Sequence, residues 1–457
     1  MISEREPLLY NSKNKEYEER IKKRNIFVLG LGFFFVYTGY LTAAGTSETM
    51  LRSYSYRTGE SSNGFISLGI NAAMNGITAP FVPILFRLLS RRTTMFLGAL
   101  LSASYVFCFV HPSPELLYLF SAVSGIGGTL LWVSQGTDLV VNSTPETISK
   151  NTAIFFSFYM SGMFGGNLFV YFDWNGQEFV TQSQQNSLAI ILGIITTIGG
   201  FIFLFSKPEA HIIPRTPSFS ILSECKSNFL SAFRMSKKLP VQLLMPSMAL
   251  LGFEIAFYQL AMPTCIGTTH ELDDPKGSIG LVMIFLGAGE LLGTIFQLLP
   301  SKLSPMDSRI VQVTVATILY ILASATSFCM FPEECTIHET YSQGMIKPNL
   351  SILLICAVAF GFYDCTMQMC INQMFGTLFR SEEDSGGFYV LVNLILCATL
   401  TAGFMQVPFY LIIKLFIISY APFITLPVQI CINLSICLVS TCCILRMDHM
   451  MRHNLFI

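Results

Sequence analysis

Residues 277–299 read GSIGLVMIFLGAGELLGTIFQLL and residues 26–46 read IFVLGLGFFFVYTGYLTAAGT. Each stretch is long enough to cross a bilayer core, which takes about 20 apolar residues in a helix. Glu290 alone interrupts the first stretch, and no charge interrupts the second. Similar runs lie at 65–85, 93–110, 116–139, 152–172, 187–206, 241–263, 310–331, 350–374, 386–406 and 423–445, giving twelve predicted spans. The apolar stretch Val407–Tyr420 stands apart, because Lys414 lies in it between Pro408 and Pro422; it reads as an interfacial or re-entrant link.

Composition points the same way. Of the 457 residues, 52% are hydrophobic and 12% charged, mean hydropathy is +0.57, and the 40 Phe outnumber the 27 Lys and Arg. A soluble domain carries about 25% charged residues, so the lipid bilayer is the partner this chain is built for. A net charge of −1 gives no reason to expect a nucleic-acid partner. Length excludes a small disulfide scaffold, and hydrophobicity excludes a disordered chain. The first 25 residues are polar, and the run behind them is too long for the core of a cleavable signal peptide.

With a cytosolic N-terminus, Arg52, Arg57, Lys276, Lys347 and Lys414 fall on the far side, and the other 22 of the 27 Lys and Arg fall on the cytosolic side. That asymmetry predicts that both termini are cytosolic. A cytosolic tail (1–25) precedes a six-span half (26–206), a basic cytosolic linker (207–240), a second six-span half (241–445) and a cytosolic tail (446–457). Each half has a short basic hairpin after its second span, Arg87–Arg92 and Ser301–Arg309. Six plus six spans is the layout of parallel repeats around a midplane cavity.

Ionisable groups inside a membrane are expensive and therefore the first candidates for function. Five carboxylates qualify: Glu48, Asp138, Glu254, Glu290 and Asp364. Glu48 stands four residues before Arg52, a pair by helical spacing. Glu254, Glu290 and Asp364 lie deeper, in the seventh, eighth and tenth spans, and no Lys or Arg is deep enough to pair with all three. Three readings stay open: protonated carboxyls gluing helices together, a solute or proton pathway, or a depth misjudged from sequence. Asn71, Asn75, Gln135, Asn167, Gln259, Gln368, Asn372, Gln373 and Asn393 divide in the same way between packing contacts and ligands.

Nothing in the chain matches an enzyme signature. The six His fall in loops or tails, and no GxSxG elbow, Walker loop or C-x-x-C pair occurs, so no catalytic residue, metal or cofactor is expected. Most of the thirteen Cys lie within spans as small core hydrophobes. Cys265 and Cys335 both face the lumen in this topology, which allows a disulfide between them. The string Glu4-Arg5-Glu6-Pro7-Leu8-Leu9 looks like an acidic dileucine sorting signal, pointing to endosomal or lysosomal delivery, with the plasma membrane as the alternative. Asn349 heads a lumenal N-x-S triplet close to the tenth span and is a candidate glycosylation site.

Several spans together resemble the uncoordinated-93-like branch of the major facilitator superfamily. The fourth span and its exit carry Leu131-Trp132, Gln135-Gly136, Leu139 and Asn142-Ser143, and the fifth ends Gly166-Asn167-Leu168-Phe169, then Tyr171-Phe172, Trp174 and Gly176. The seventh supplies Gly252, Glu254, Thr264, Ile266-Gly267 and Thr269, and the eighth Gly287, Gly289-Glu290 and Gly293. The tenth has Gly361, Asp364, Gly376 and Phe379 before the acidic turn Ser381–Ser385. Two departures are visible. Gln368, Met369 and Cys370 stand where the family continues to Asn-Thr-Gln, and Leu88–Thr94 keeps Arg91 and Arg92 without the usual Gly and Asp. The resemblance implies an all-α polytopic membrane protein with the major facilitator fold, twelve transmembrane helices in two six-helix halves. For function it implies a non-enzymatic regulator or trafficking partner of a potassium channel or receptor, or else an orphan transporter of a small solute or protons.

Overall fold

A computed structural model of the chain describes residues 5–144, 147–174, 179–207, 221–272, 274–298, 305–332, 335–336, 339–378, 382–416 and 426–453. Helix α1 (Arg5–Thr58) is followed by α2 (Gly64–Thr78), which passes through a 3-10 turn (Ala79–Phe81) into α3 (Val82–Leu88). Then come α4 (Arg91–Cys108), α5 (Pro114–Val141), α6 (Ile148–Trp174) and α7 (Gln182–Phe203), and α8 (Ile221–Ser236) lies in the predicted linker. Helix α9 (Leu239–Ala256) runs through a π turn (Phe257–Ala261) into α10 (Met262–Thr268). The chain ends with α11 (Pro275–Leu298), α12 (Pro305–Met330), α13 (Leu350–Leu378), α14 (Glu382–Phe416) and α15 (Leu426–Arg452).

Local chemistry sets several of these boundaries. The Asn63 side chain accepts the Ile66 N–H at 2.9 Å and starts α2, and Thr181 with Gln184 forms a capping box at α7. Among the described residues, eleven helical spans are long and apolar enough to cross a membrane. The predicted third span is not among them: it forms α4, whose 18 residues open on Arg91 and Arg92.

Three boundaries differ from the sequence reading. The tail before residue 26 is helical from Arg5, because its Glu, Lys and Arg are good helix formers and Pro7 sits in the first turn, where it costs no hydrogen bond. Helix α14 continues without a break to Phe416, so the first part of the predicted link is an extension of the eleventh span: Pro408 lies inside the helix, and the segment is apolar around Lys414. Residues 417–425 lie outside the described residues. Helix α15 runs past residue 445 to Arg452, carrying Asp448 and Arg452 as an i,i+4 ion pair at 2.8 Å.

The halves meet along two seams. Helix α2 packs on α14, and α6 packs on α11. These are the second span of each half against the fifth span of the other, as a two-fold relation between parallel repeats requires. Within the second half α11 packs against α13. A Cβ on Gly361 would collide with the Leu286 carbonyl oxygen and lie 2.9 Å from the Glu290 nitrogen, and one on Gly289 would collide with the Val358 carbonyl oxygen. Glycine at these two positions lets the backbones touch. The crossing sets Glu290 beside Asp364.

Candidate functional site

A cavity of about 180 Å³ opens between the halves and is lined from both. The first half contributes Tyr37 and Tyr40 of α1, Asn71 and Asn75 of α2, Trp132 and Gln135 of α5, and Tyr159 of α6. From the second half come Tyr258 and Gln259 of the π turn, Glu290 of α11, Gln368 and Asn372 of α13, and Tyr389 and Asn393 of α14. A π turn carries one residue more per turn than an α-helix and recurs at functional sites; here it holds Tyr258 and Gln259 against the cavity.

Most of the amides are also held by neighbours. Tyr40 donates its hydroxyl to Asn71 Oδ1 at 3.1 Å, and the Thr129 hydroxyl donates to Asn75 Oδ1 at 2.9 Å. Tyr389 donates to Asn372 Oδ1 at 3.3 Å, and the Asn372 amide donates to the Gln368 carbonyl at 2.8 Å. Seven of the nine amides singled out in the sequence line the cavity, and five of them, Asn71, Asn75, Gln368, Asn372 and Asn393, also hydrogen-bond to protein neighbours. Asn167 and Gln373 do not line it; they donate to the Met163 carbonyl at 2.7 Å and to Gln297 Oε1 at 3.0 Å.

The five carboxylates separate into two kinds. Glu48 is tied down on both oxygens: Arg52 Nε donates to Oε1 at 2.9 Å, and the Gly64 N–H at the start of α2 donates to Oε2 at 2.8 Å. Asp138 receives Arg91 Nε at 2.6 Å. That partner comes from the basic hairpin before α4, and sequence spacing alone gave no way to choose it. Both residues are structural clasps.

Glu254, Glu290 and Asp364 gather within the second half. Asp364, fully buried on α13, accepts Gln368 Nε2 on both oxygens at 2.9 and 2.8 Å. Glu254 and Tyr258 are its neighbours. Among the described residues, no N–H or O–H donor reaches either oxygen of Glu254. Neighbouring carboxylates repel each other when both are ionised. Glu290 is 2% exposed and faces the cavity, and its Oε2 has no hydrogen-bond partner among the described residues. The three acids thus form a chain from the Glu254–Asp364 contact to the cavity wall.

A second polar cluster closes the face opposite the N-terminus. Cys265 at the end of the seventh span is disulfide-bonded to Cys335. The Thr340 N–H donates to the Thr268 carbonyl at 2.9 Å, Arg52 donates to the Thr336 carbonyl at 3.3 Å, and Glu339 receives His270 Nε2 at 2.7 Å and Lys276 Nζ at 3.2 Å. Partial burial alone would raise the Glu339 carboxyl above its ordinary value. Lys276 and His270 more than offset it, and the net shift is downward. A carboxyl depressed in the folded state stabilises fully above its unfolded pKa, about 4.3, and loses that contribution as pH falls through the lower folded value. Melting curves from pH 7 down to about 3.5 should therefore show Glu339→Gln destabilised at neutral pH and converging on the wild type at the acid end. Parallel curves at every pH would contradict the ion-paired cluster.

The remaining predicted positions are placed as follows. Asn349 is exposed and caps α13, its Oδ1 accepting the Ile352 N–H at 3.3 Å. Leu8 and Leu9 fall in the opening turns of α1, and Glu4 lies outside the described residues. The sequence reading missed the aromatic wall, because Tyr and Trp within apolar runs look the same whether they face a cavity or a core.

Membrane-crossing helices, two seams and a cavity shared by the halves define a multi-pass membrane protein with the major facilitator fold. A crystal structure of a mutant of the nucleoside transporter NupG has the same fold, with a TM-score of 0.59 at 14% identity over 93% of this chain and 99% of that one. Residues 55–445 match a family described as "Ion channel regulatory protein UNC-93", and the chain belongs to the UNC-93 family. It is 29% identical over 384 residues to "UNC93-like protein MFSD11" of Xenopus tropicalis, covering 80% of this chain and 86% of that protein. It is 23% identical over 419 residues to "Protein unc-93 homolog A" of Bos taurus, covering 79% and 82%.

Proposed function

We propose that this protein is a carrier that binds a small solute between its halves and couples access to proton movement through Glu254, Asp364 and Glu290. One observation carries the reading: a single cavity is lined by side chains of both halves, with a buried, unpartnered carboxylate oxygen on its wall. Rocking of one half against the other would expose that wall to each side in turn. A proton taken up by Glu290 from the wet cavity would neutralise the carboxylate on its wall, and its release on the other side would complete the coupling. Reconstituted protein offered a mixed pool of small metabolites under a pH gradient should accumulate at least one of them. Glu290→Gln should cut that uptake by at least about tenfold while the size-exclusion profile stays unchanged. Uptake equal to wild type in Glu290→Gln, or no retained solute at all, removes the carrier reading.

The regulatory reading, in which the protein binds a channel or receptor through its helix surfaces or exoplasmic loops, draws support from the description of its family. There the acids are structural, and the amide variants keep the partner bound. For address, the dileucine string favours endosomes or lysosomes, with the plasma membrane as the alternative. Cytosolic termini are supported by the distribution of Lys and Arg and by the Cys265–Cys335 disulfide, which suits an oxidising compartment on the other side.

A further inference from the structure

We infer that the cavity is a site for a small organic ammonium ion, held by Glu290 and an aromatic wall. The inference rests on the solute-binding reading above and adds the chemical class. Among the described residues lining the cavity, Glu290 is the one with a formal charge, and Lys, Arg and His are absent from the lining. An anion would meet no counter-charge there and would face a carboxylate instead. A neutral solute without an N–H or O–H donor would leave Glu290 Oε2 buried without a partner, and one with a donor would leave its charge without a counter-charge each time the cavity closes. A cation resolves both problems.

The wall has the composition that recognises such a cation. Tyr37, Trp132 and Tyr159 stand with ring centroids 5.0 to 5.4 Å apart, and all three line the cavity. Glu290 lines the same cavity as these rings. Ring faces attract ammonium groups through their quadrupole, most strongly when water is excluded. The lining amides supply acceptors for N–H or hydroxyl donors. At about 180 Å³ the space exceeds that of an engineered cavity of about 150 Å³ known to hold benzene. That suits one small ammonium ion.

Proton and ammonium compete for the same carboxylate in this arrangement. The titratable groups facing Glu290 are Asp364 and Cys365 of α13, Tyr159 of α6, Tyr258 of the π turn and, further off, Glu254 of α9. None of these described groups is a cation, so an incoming proton or ligand would be what neutralises Glu290.

The test uses the full-length protein in a detergent without choline headgroups, titrated with choline, tetraethylammonium, and the uncharged choline isostere in which a quaternary carbon replaces nitrogen. Choline or tetraethylammonium should bind at least about tenfold more tightly than the isostere, a difference of about 1.4 kcal/mol. Acidification should weaken binding, Glu290→Gln should weaken it at least about tenfold, and Tyr159→Leu should weaken it less. If Glu290→Gln fails to fold, Glu290→Asp must retain charge-selective binding, and the comparison of ligands on the wild type stands by itself. Equal affinity for the isostere, or no ammonium binding to the wild type, overturns the inference. Ammonium binding without flux in proteoliposomes removes the carrier reading and leaves the site. Flux of an uncharged solute without ammonium binding does the reverse.

Discussion

Arg91→Met should lower the stability of the folded protein by about 3 kcal/mol, toward the lower end of what removing one partner of a buried ion pair costs. The pair is close, with Arg91 Nε 2.6 Å from Asp138 Oδ1, and the Asp138 side chain is 8% exposed. Without the guanidinium the carboxylate faces the end of the fourth span with nothing to neutralise it. The cost should appear as a lower melting temperature in fluorescence-detected size exclusion. Most of it should return in Arg91→Met combined with Asp138→Asn, which removes the stranded charge. If the single and double variants melt together, Asp138 is not held by Arg91. Asn142 donates to the Asp138 carbonyl at 2.9 Å and accepts from Asn25 at 3.1 Å. Loss of the pair should therefore loosen α1 around Asn25 as well.

Gly361→Ala should be comparably damaging, roughly 3 kcal/mol, at the upper end of ordinary overpacking, because the added methyl meets backbone rather than a flexible side chain. Its neighbours would be the Leu286 carbonyl and the Glu290 nitrogen, so α11 and α13 must separate along the crossing. Gly165→Ala is the matched control, since its nearest neighbour would be Thr38 Cγ2 at 3.6 Å, an ordinary contact. Thermal melts of the two variants should differ clearly. Equal melts would mean that the crossing is looser than described. Because Gly361 stands one turn before Asp364, the variant should also disturb the acid chain, visible as altered proton-driven uptake in whatever folded fraction survives.

The apolar runs made the membrane class and most of the spans legible, because a bilayer demands a long run of one solvent preference and nothing else produces it. The first arginines of α4 show where that logic thins: a span lodged between α5 and α7 need not be apolar throughout. The carboxylates were legible as residues and illegible as partners. Spacing along one helix revealed Glu48 with Arg52, whereas Asp138 with Arg91 and Glu254 with Asp364 join different helices and depend on how these cross. The amides around the cavity stood out because a polar group in an apolar run is rare. Tyr37, Trp132 and Tyr159 did not, and the π turn behind Tyr258 and Gln259 left no recognisable mark in the sequence.

The Cys265–Cys335 bond has a mechanical side. It links residues 70 apart and encloses all of α11 and α12, so two complete membrane crossings sit inside one covalent ring. A force drawing the chain out of the bilayer from its C-terminal end would free α15, α14 and α13 in order and then stop at Cys335. Beyond that point about 230 to 250 Å of extended backbone stays sequestered until the bond is reduced. Cellular machinery that extracts the protein residue by residue must therefore meet a reductant on one side of the membrane before it can finish pulling on the other.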